Sequence, residues 1–126
     1  MDTEKKKVLI VDDNKTYLRF AEAALQSAGF HVLTSENIWI SHLVASQKPQ
    51  LILMDVTIGS ANGTSAVIAI KKRSFGQGIK IVLHSSESDA KLKVLSRDCN
   101  ADGYVSKDGN EVNLVNSVKR FLAKAG

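Results

Sequence analysis

Two apolar runs in this chain stop at aspartate, VLIVDD over residues 8 to 13 and LILMD over 51 to 55, and a third, GYVSK, stops at Lys107. Apolar runs of four to six residues alternate along the chain with longer stretches of helical period, the pattern of βαβ units wound around a parallel sheet. If the runs are parallel strands, their ends share one edge of the sheet. Three carboxylates and one ammonium then meet there. Carboxylates crowded in this way raise one another's cost of ionisation unless a cation sits among them, so the placement asks for a metal ion.

Five strands are predicted: Lys7 to Val11, His31 to Thr34, Leu51 to Asp55, Lys80 to His84, and Tyr104 to Ser106. Five helices accompany them. The first runs from about Lys15 to Ser27, with Leu18, Ala21, Leu25 and Ala28 on one stripe and Gly29 as its stop. The second covers Ile38 to Ser46 and is closed by Lys48 and Pro49. The third covers Thr64 to Arg73, ahead of a turn at Gly76 and Gly78. The fourth covers Asp89 to Arg97, with Asn100 suited to a left-handed cap, and the fifth covers Glu111 to Ala123, turning Val112, Val115, Val118, Phe121 and Leu122 toward the sheet. A strand as uniformly apolar as Leu51 to Met54 must be covered on both faces, which makes a three-layer α/β sandwich. In such sheets the functional crevice lies beyond the carboxyl ends of the strands.

With 126 residues the chain fits one domain, residues 1–126, able to bury roughly two thirds of the surface of its unfolded form. Residues 1–6 of the charged start MDTEKKK are expected to be loose. No apolar stretch approaches the roughly 20 residues of a membrane span and no signal-peptide core precedes the first strand, so a cytoplasmic protein without membrane contact is expected. Cys99 stands alone and is read as a passive helix residue. The net charge is +4, and basic residues recur in two places, Lys91, Lys93 and Arg97 in the segment before the last strand and Lys119, Arg120 and Lys124 in the final segment. Such a face is either simply solvated or meets an acidic protein surface. Without aromatic interleaving or a reader motif, the charges argue against nucleic acid as the partner.

Asp12 and Asp13 leave the first strand together, and either alone would serve as an ordinary helix cap. Joined by Asp55 they form a set of hard oxygen donors suited to Mg²⁺. Asp55 leaves its strand alone and could carry a nucleophilic oxygen, since aspartate forms an acyl phosphate where a metal neutralises the transferred group. Lys107 supplies a positive charge for the same phosphoryl oxygens, and Ser85, in VLHSSES, a hydroxyl. His31, His42 and His84 are not spaced as a ligand set and read as structural, although His84 precedes Ser85 where it could sense the site's charge.

Taken together, VLIVDDN, Asp55, Gly63 eight residues on, Ser85 and ADGYVSK resemble the receiver domain of bacterial response regulators, the chemotaxis-regulator-like modules of two-component signalling, in register over essentially the whole chain. The resemblance implies a flavodoxin-like fold with strand order 2-1-3-4-5. It implies that Asp55 is the phosphoacceptor for a partner histidine kinase or phosphotransfer protein. Mg²⁺ would be held by Asp13, Asp55 and the backbone carbonyl of Thr57, with Asp12 acting through water. Lys107 would pair with the phosphoryl group, Ser85 would move to bond it, and Tyr104 would turn inward as the aromatic switch. Thr57 and Glu87 match positions that tune dephosphorylation. The output would be a protein-binding face of the fourth helix, fifth strand and fifth helix, meeting a downstream protein target that carries an acidic surface. Such a module is not an enzyme, though it assists its own phosphorylation and dephosphorylation.

Two departures stand beside the match. The family often has proline four residues after the phosphoacceptor and directly after the lysine, where this chain has Gly59 and Asp108. A cis bond before Asp108 would cost roughly 3 to 4 kcal/mol, so trans is expected, and the reach of Lys107 is left open. Gly59 to Gly63 is expected to be loose. A pseudo-receiver that binds partners constitutively and the N-terminal receiver of a longer regulator are the competing readings. A dinucleotide-binding enzyme is disfavoured because no glycine-rich loop follows the first strand.

Overall fold

The computed structural model describes residues 5–124. Of the start expected to be loose, residues 1–4 lie outside the described residues, and Lys5 and Lys6 are exposed without regular structure. In chain order the elements are β1 (Lys7–Val11), α1 (Lys15–Ser27), β2 (His31–Ser35), α2 (Ser41–Gln47), β3 (Leu51–Asp55), β4 (Thr57–Ile58), β5 (Ala61–Asn62), α3 (Gly63–Lys71), a short 3₁₀ turn (Ser74–Gly76), β6 (Lys80–Ser85), α4 (Asp89–Asp98), β7 (Gly103–Ser106) and α5 (Glu111–Ala123). Five strands form one sheet in the order β2-β1-β3-β6-β7, and every neighbouring pair is parallel. With the small β4–β5 ribbon set aside, this is the expected order 2-1-3-4-5.

The uniform apolarity of β1 and β3 follows from the two faces they serve. Val8, Ile10, Leu51 and Leu53 face a core closed by α1 and α5, whereas Leu9, Val11, Ile52 and Met54 face a second core under α2, α3 and α4. Successive side chains on a strand point to opposite faces, so a strand buried on both sides shows no alternation. Val11 pairs with Met54, Asp55 with His84, and Ser85 with Ser106. Asp12 therefore emerges level with Asp55, and Lys107 leaves its strand beside Ser85.

Helix ends follow local chemistry. Asn14 caps α1, its side chain accepting the Tyr17 N–H, so neither Asp12 nor Asp13 serves as the cap that each alone could have been. Asn62, Ser88 and Asn110 cap α3, α4 and α5 in the same way. Gly29 (φ +98), Lys48 (φ +51) and Asn100 (φ +63) make the left-handed turns after α1, α2 and α4.

Several expectations need correction. α2 begins at Ser41 rather than Ile38, because the Asn37 side chain accepts the Trp39 N–H and turns the chain first. α3 ends at Lys71 and gives way to the 3₁₀ turn. Val112 was expected to face the sheet but is 64% exposed, while Leu114 is buried. The inward stripe of α5 is Leu114, Val118 and Phe121, and a residue two before Leu114 is rotated about 200° from it. Gly59 to Gly63 is not loose: Thr57 and Ile58 pair antiparallel with Asn62 and Ala61, and Gly59 takes φ +61 in the intervening turn. Cys99 is buried just beyond the end of α4 and its thiol is shifted upward by burial, in keeping with a passive role.

Candidate functional site at the carboxyl edge of the sheet

The three acids meet as the strand register requires. Asp12, Asp13 and Asp55 each offer a carboxylate oxygen, and these oxygens all lie within 4.8 Å of one another. Asp12 is fully buried, its Oδ1 accepting the Asn14 N–H at 2.8 Å, whereas Asp13 is exposed and its Oδ2 accepts the Gly59 N–H at 2.6 Å. A proline at residue 59 could not donate that bond, so the glycine ties the ribbon to the acid. Gly63 matters for a different reason: a Cβ there would collide with the carbonyl oxygen of Asp55, so only glycine lets α3 begin against the end of β3.

Lys107 reaches the acids. Its Nζ lies 2.6 Å from Asp12 Oδ2 and 3.2 Å from Asp55 Oδ2. The described residues contain no cis peptide bond, so the bond from Lys107 to Asp108 is trans as expected. Asp108 stabilises the loop without proline: its carboxylate accepts the Asn113 side-chain amide at 2.9 Å and the Asn110 N–H at 2.8 Å, and these bonds hold its pKa below the usual carboxylate range. Burial raises the Asp55 carboxyl above its ordinary value; Lys107 opposes the shift and Asp12 adds to it. A raised carboxyl is a more basic and more nucleophilic one when ionised.

Two residues at this site were not recognised as site members from the chain. The Tyr17 ring lies under the Lys107 ammonium, 4.6 Å from Nζ to centroid. His84 is fully buried against Tyr17, with ring centroids 5.2 Å apart, and its Nε2 lies 3.4 Å from the Val11 carbonyl and 3.9 Å from Asp12 Oδ2. Burial, helped by the Lys107 charge, pushes its pKa down to about 4, so the imidazole is neutral at pH 7; the proton is assigned to Nε2 because that nitrogen faces a carbonyl. Tyr17 offers no sequence signal beyond its place in the first turn of α1. His84 stood in view beside Ser85.

Ser85 is buried at the end of β6, and its hydroxyl accepts the Glu87 N–H at 3.1 Å. Thr57 and Glu87 line a single depression of about 370 Å³ with Asn62 and Lys91, and Glu87 pairs with Lys91 at 2.8 Å. Tyr104 is partly buried against the core under α2, α3 and α4 and lines a separate groove with Asp108, Asn113 and Arg120. His31 and His42 are exposed and join no cluster of metal-ligating side chains among the described residues. The three carboxylates supply the hard oxygen donors preferred by Mg²⁺, an ion that completes its shell with water and phosphate oxygens, so the donor set fits that ion.

The response regulator receiver domain model matches residues 8–119. The chain belongs to that family. Among curated relatives, this receiver is 29% identical over 118 residues to Protein PilH of Pseudomonas aeruginosa, covering 93% of this chain and 98% of PilH. It is 28% identical over 122 residues to the phosphate regulon transcriptional regulatory protein PhoB of the same organism, covering 96% of this chain but only 53% of PhoB. The chain thus spans about half the length of some relatives and nearly all of others. Among solved structures, the chemotaxis response regulator CheY4 of Vibrio cholerae superposes with a TM-score of 0.82 at 26% identity, covering 94% of this receiver and 99% of that chain. Receiver domains of two-component systems are signalling modules rather than enzymes, and they interact with histidine kinases and downstream targets. No helix among the described residues is long and apolar enough to cross a membrane.

Proposed function

We propose that this receiver is a phosphorylation-controlled binding module of the cytoplasm, in which Asp55 takes a phosphoryl group from a phosphohistidine on a partner histidine kinase or phosphotransfer protein. A carboxylate oxygen of Asp55 forms the new bond to phosphorus while the bond from phosphorus to the donor nitrogen breaks, its electron pair returning to the imidazole. The product on this chain is an acyl phosphate. Asp13, Asp55 and the Thr57 carbonyl would hold Mg²⁺, with Asp12 acting through water, and the ion supplies charge neutralisation for the transferred oxygens. Lys107 pairs with the phosphoryl group. Ser85 turns its hydroxyl to the same oxygens, and Tyr104 swings inward as that space opens. Thr57 and Glu87, on the rim of one depression, tune the return hydrolysis.

The observation that carries this reading is the Lys107 ammonium standing between Asp12 and Asp55, with Asp13 alongside. Output passes through α4, β7 and α5, where Lys91, Lys93, Arg97, Lys119, Arg120 and Lys124 are exposed and suit an acidic protein surface. The two-way overlap with PilH fits a regulator that consists of a receiver alone. The partial overlap with PhoB favours, as a second reading, the receiver of a longer regulator, and the mass of the native protein separates the two. The test of phosphorylation is direct. Incubated with Mg²⁺ and a small phosphoryl donor, the wild type should gain one phosphoryl group by intact mass and Asp55→Ala none. An unmodified wild type, under conditions that label a control receiver, would sink the proposal and favour a constitutive binding module.

A further inference from the structure

We propose that Tyr17 and His84 are positioning residues for Lys107, their packed rings forming the floor that holds its ammonium between Asp12 and Asp55. The inference rests on Lys107 acting at Asp55 as set out above. Lysine carries its charge on a flexible four-carbon stem, and here the stem leaves a loop that continues through exposed Asp108 and Gly109 (φ +74). Two carboxylates hold the ammonium, Asp12 at 2.6 Å and Asp55 at 3.2 Å. The third contact is the face of Tyr17, within the range at which a ring attracts a cation. Burial, with Asp12, Asp108 and Asp55 nearby, pushes the Tyr17 hydroxyl well above its ordinary pKa, so the ring remains uncharged.

What supports Tyr17 from below is His84. A histidine is a poor choice for a wholly buried strand position, and its Nδ1 has no hydrogen-bond partner. A leucine of similar size would avoid that cost. The imidazole, however, offers a flat face to Tyr17, tilted 53° to it, while its Nε2 is aimed at the carbonyl of Val11, the residue directly before Asp12. The strand that carries Asp12 therefore also orients the floor beneath Lys107. Phe20, 5.7 Å from Tyr17 between ring centroids, packs on the same ring. Among the described residues it is Lys107, not Tyr17 or His84, that hydrogen-bonds to Asp55, so the two rings act through Lys107.

The test follows the Lys107 ammonium by ¹⁵N NMR in unphosphorylated, Mg²⁺-free protein and, separately, the rate of phosphorylation by acetyl phosphate at saturating Mg²⁺. In Tyr17→Leu the ammonium should become more mobile and the phosphorylation rate should fall about tenfold, with Mg²⁺ affinity within about twofold of wild type. Tyr17→Phe, which keeps the ring face, should restore both readouts. His84→Leu should shift them in the same direction as Tyr17→Leu, and the double variant should be little worse than Tyr17→Leu alone, because both residues act through one platform. Wild-type ammonium mobility in Tyr17→Leu, or a Tyr17→Phe variant as impaired as Tyr17→Leu, overturns the proposal. Should Tyr17→Leu not fold, His84→Leu decides by the same measurement: a more mobile ammonium supports the floor and an unchanged one overturns it. If wild type takes no phosphoryl group, the function proposed for Asp55 fails, while the NMR comparison still decides whether the rings position Lys107.

Discussion

Asp12 and Asp13 are adjacent in the chain yet meet different surroundings. Asp12 is enclosed and faces Lys107, whereas Asp13 is exposed and takes the Gly59 N–H. Successive residues leaving a strand point in opposite directions, and that single step divides them. The identities of the acids, of Lys107 and of Ser85 were legible in the sequence because each ends an apolar run. Tyr17 was not, since an aromatic in the first turn of an amphipathic helix reads as core. His84 carries a prediction at this scale. Its folded pKa of about 4 lies below the ordinary 6.5, so between those values the unfolded chain binds a proton that the folded chain, with Asp12, Lys107 and Tyr17 around the ring, does not. The stability tied to neutral His84 is complete above pH 6.5 and is lost as pH falls toward 4, at up to about 1.4 kcal/mol per pH unit. Chemical denaturation across this range should show a shallower acid loss for His84→Leu than for wild type.

At the scale of elements, the strands were readable and the ribbon was not. Five-residue apolar runs carry a clear period, but two residues each in β4 and β5 are too few to show one, and the glycines around them suggested looseness. The structure gives each glycine a specific task. Gly59 adopts a positive φ that proline cannot reach and donates the N–H that proline lacks. Gly59→Pro, although it restores a residue common in the family, should therefore lower stability by more than about 1 kcal/mol in urea denaturation. Gly63→Ala would drive a methyl group into the Asp55 carbonyl, displacing the start of α3 or the end of β3. It should cost on the order of 2 kcal/mol or more and slow phosphorylation of Asp55 in the mass assay, because the backbone that aims that carboxylate must move. The inward face of α5 was misjudged for a related reason. Apolar residues occupy nearly every turn of that helix, and only packing selects Leu114 over Val112.

Across the whole molecule, the site stores unfavourable electrostatics that a cation would relieve. Three carboxylates cluster at the edge of the sheet, only Asp12 and Asp55 pair with the one ammonium there, and Asp55 is raised by burial and by Asp12 even so. Mg²⁺ at tenfold its dissociation constant should stabilise the fold by about 1.4 kcal/mol. Thermal unfolding with and without millimolar Mg²⁺ measures it, and absence of a shift would mean that the carboxylates do not bind the ion. The sequence by itself determined the layers, the strand order through its family resemblance, and the edge at which the acids gather, because a strand buried on both faces must be a continuous apolar run and the polar residues that end such runs must come out together. Only the tertiary structure decided that Lys107, 95 residues from Asp12, reaches it by a trans path and rests on Tyr17 and His84. That outcome depends on how α1 packs over β1 and β2, which brings Tyr17 against His84 of β6, and on which way individual side chains turn, and these are properties of long-range packing that no local periodicity encodes.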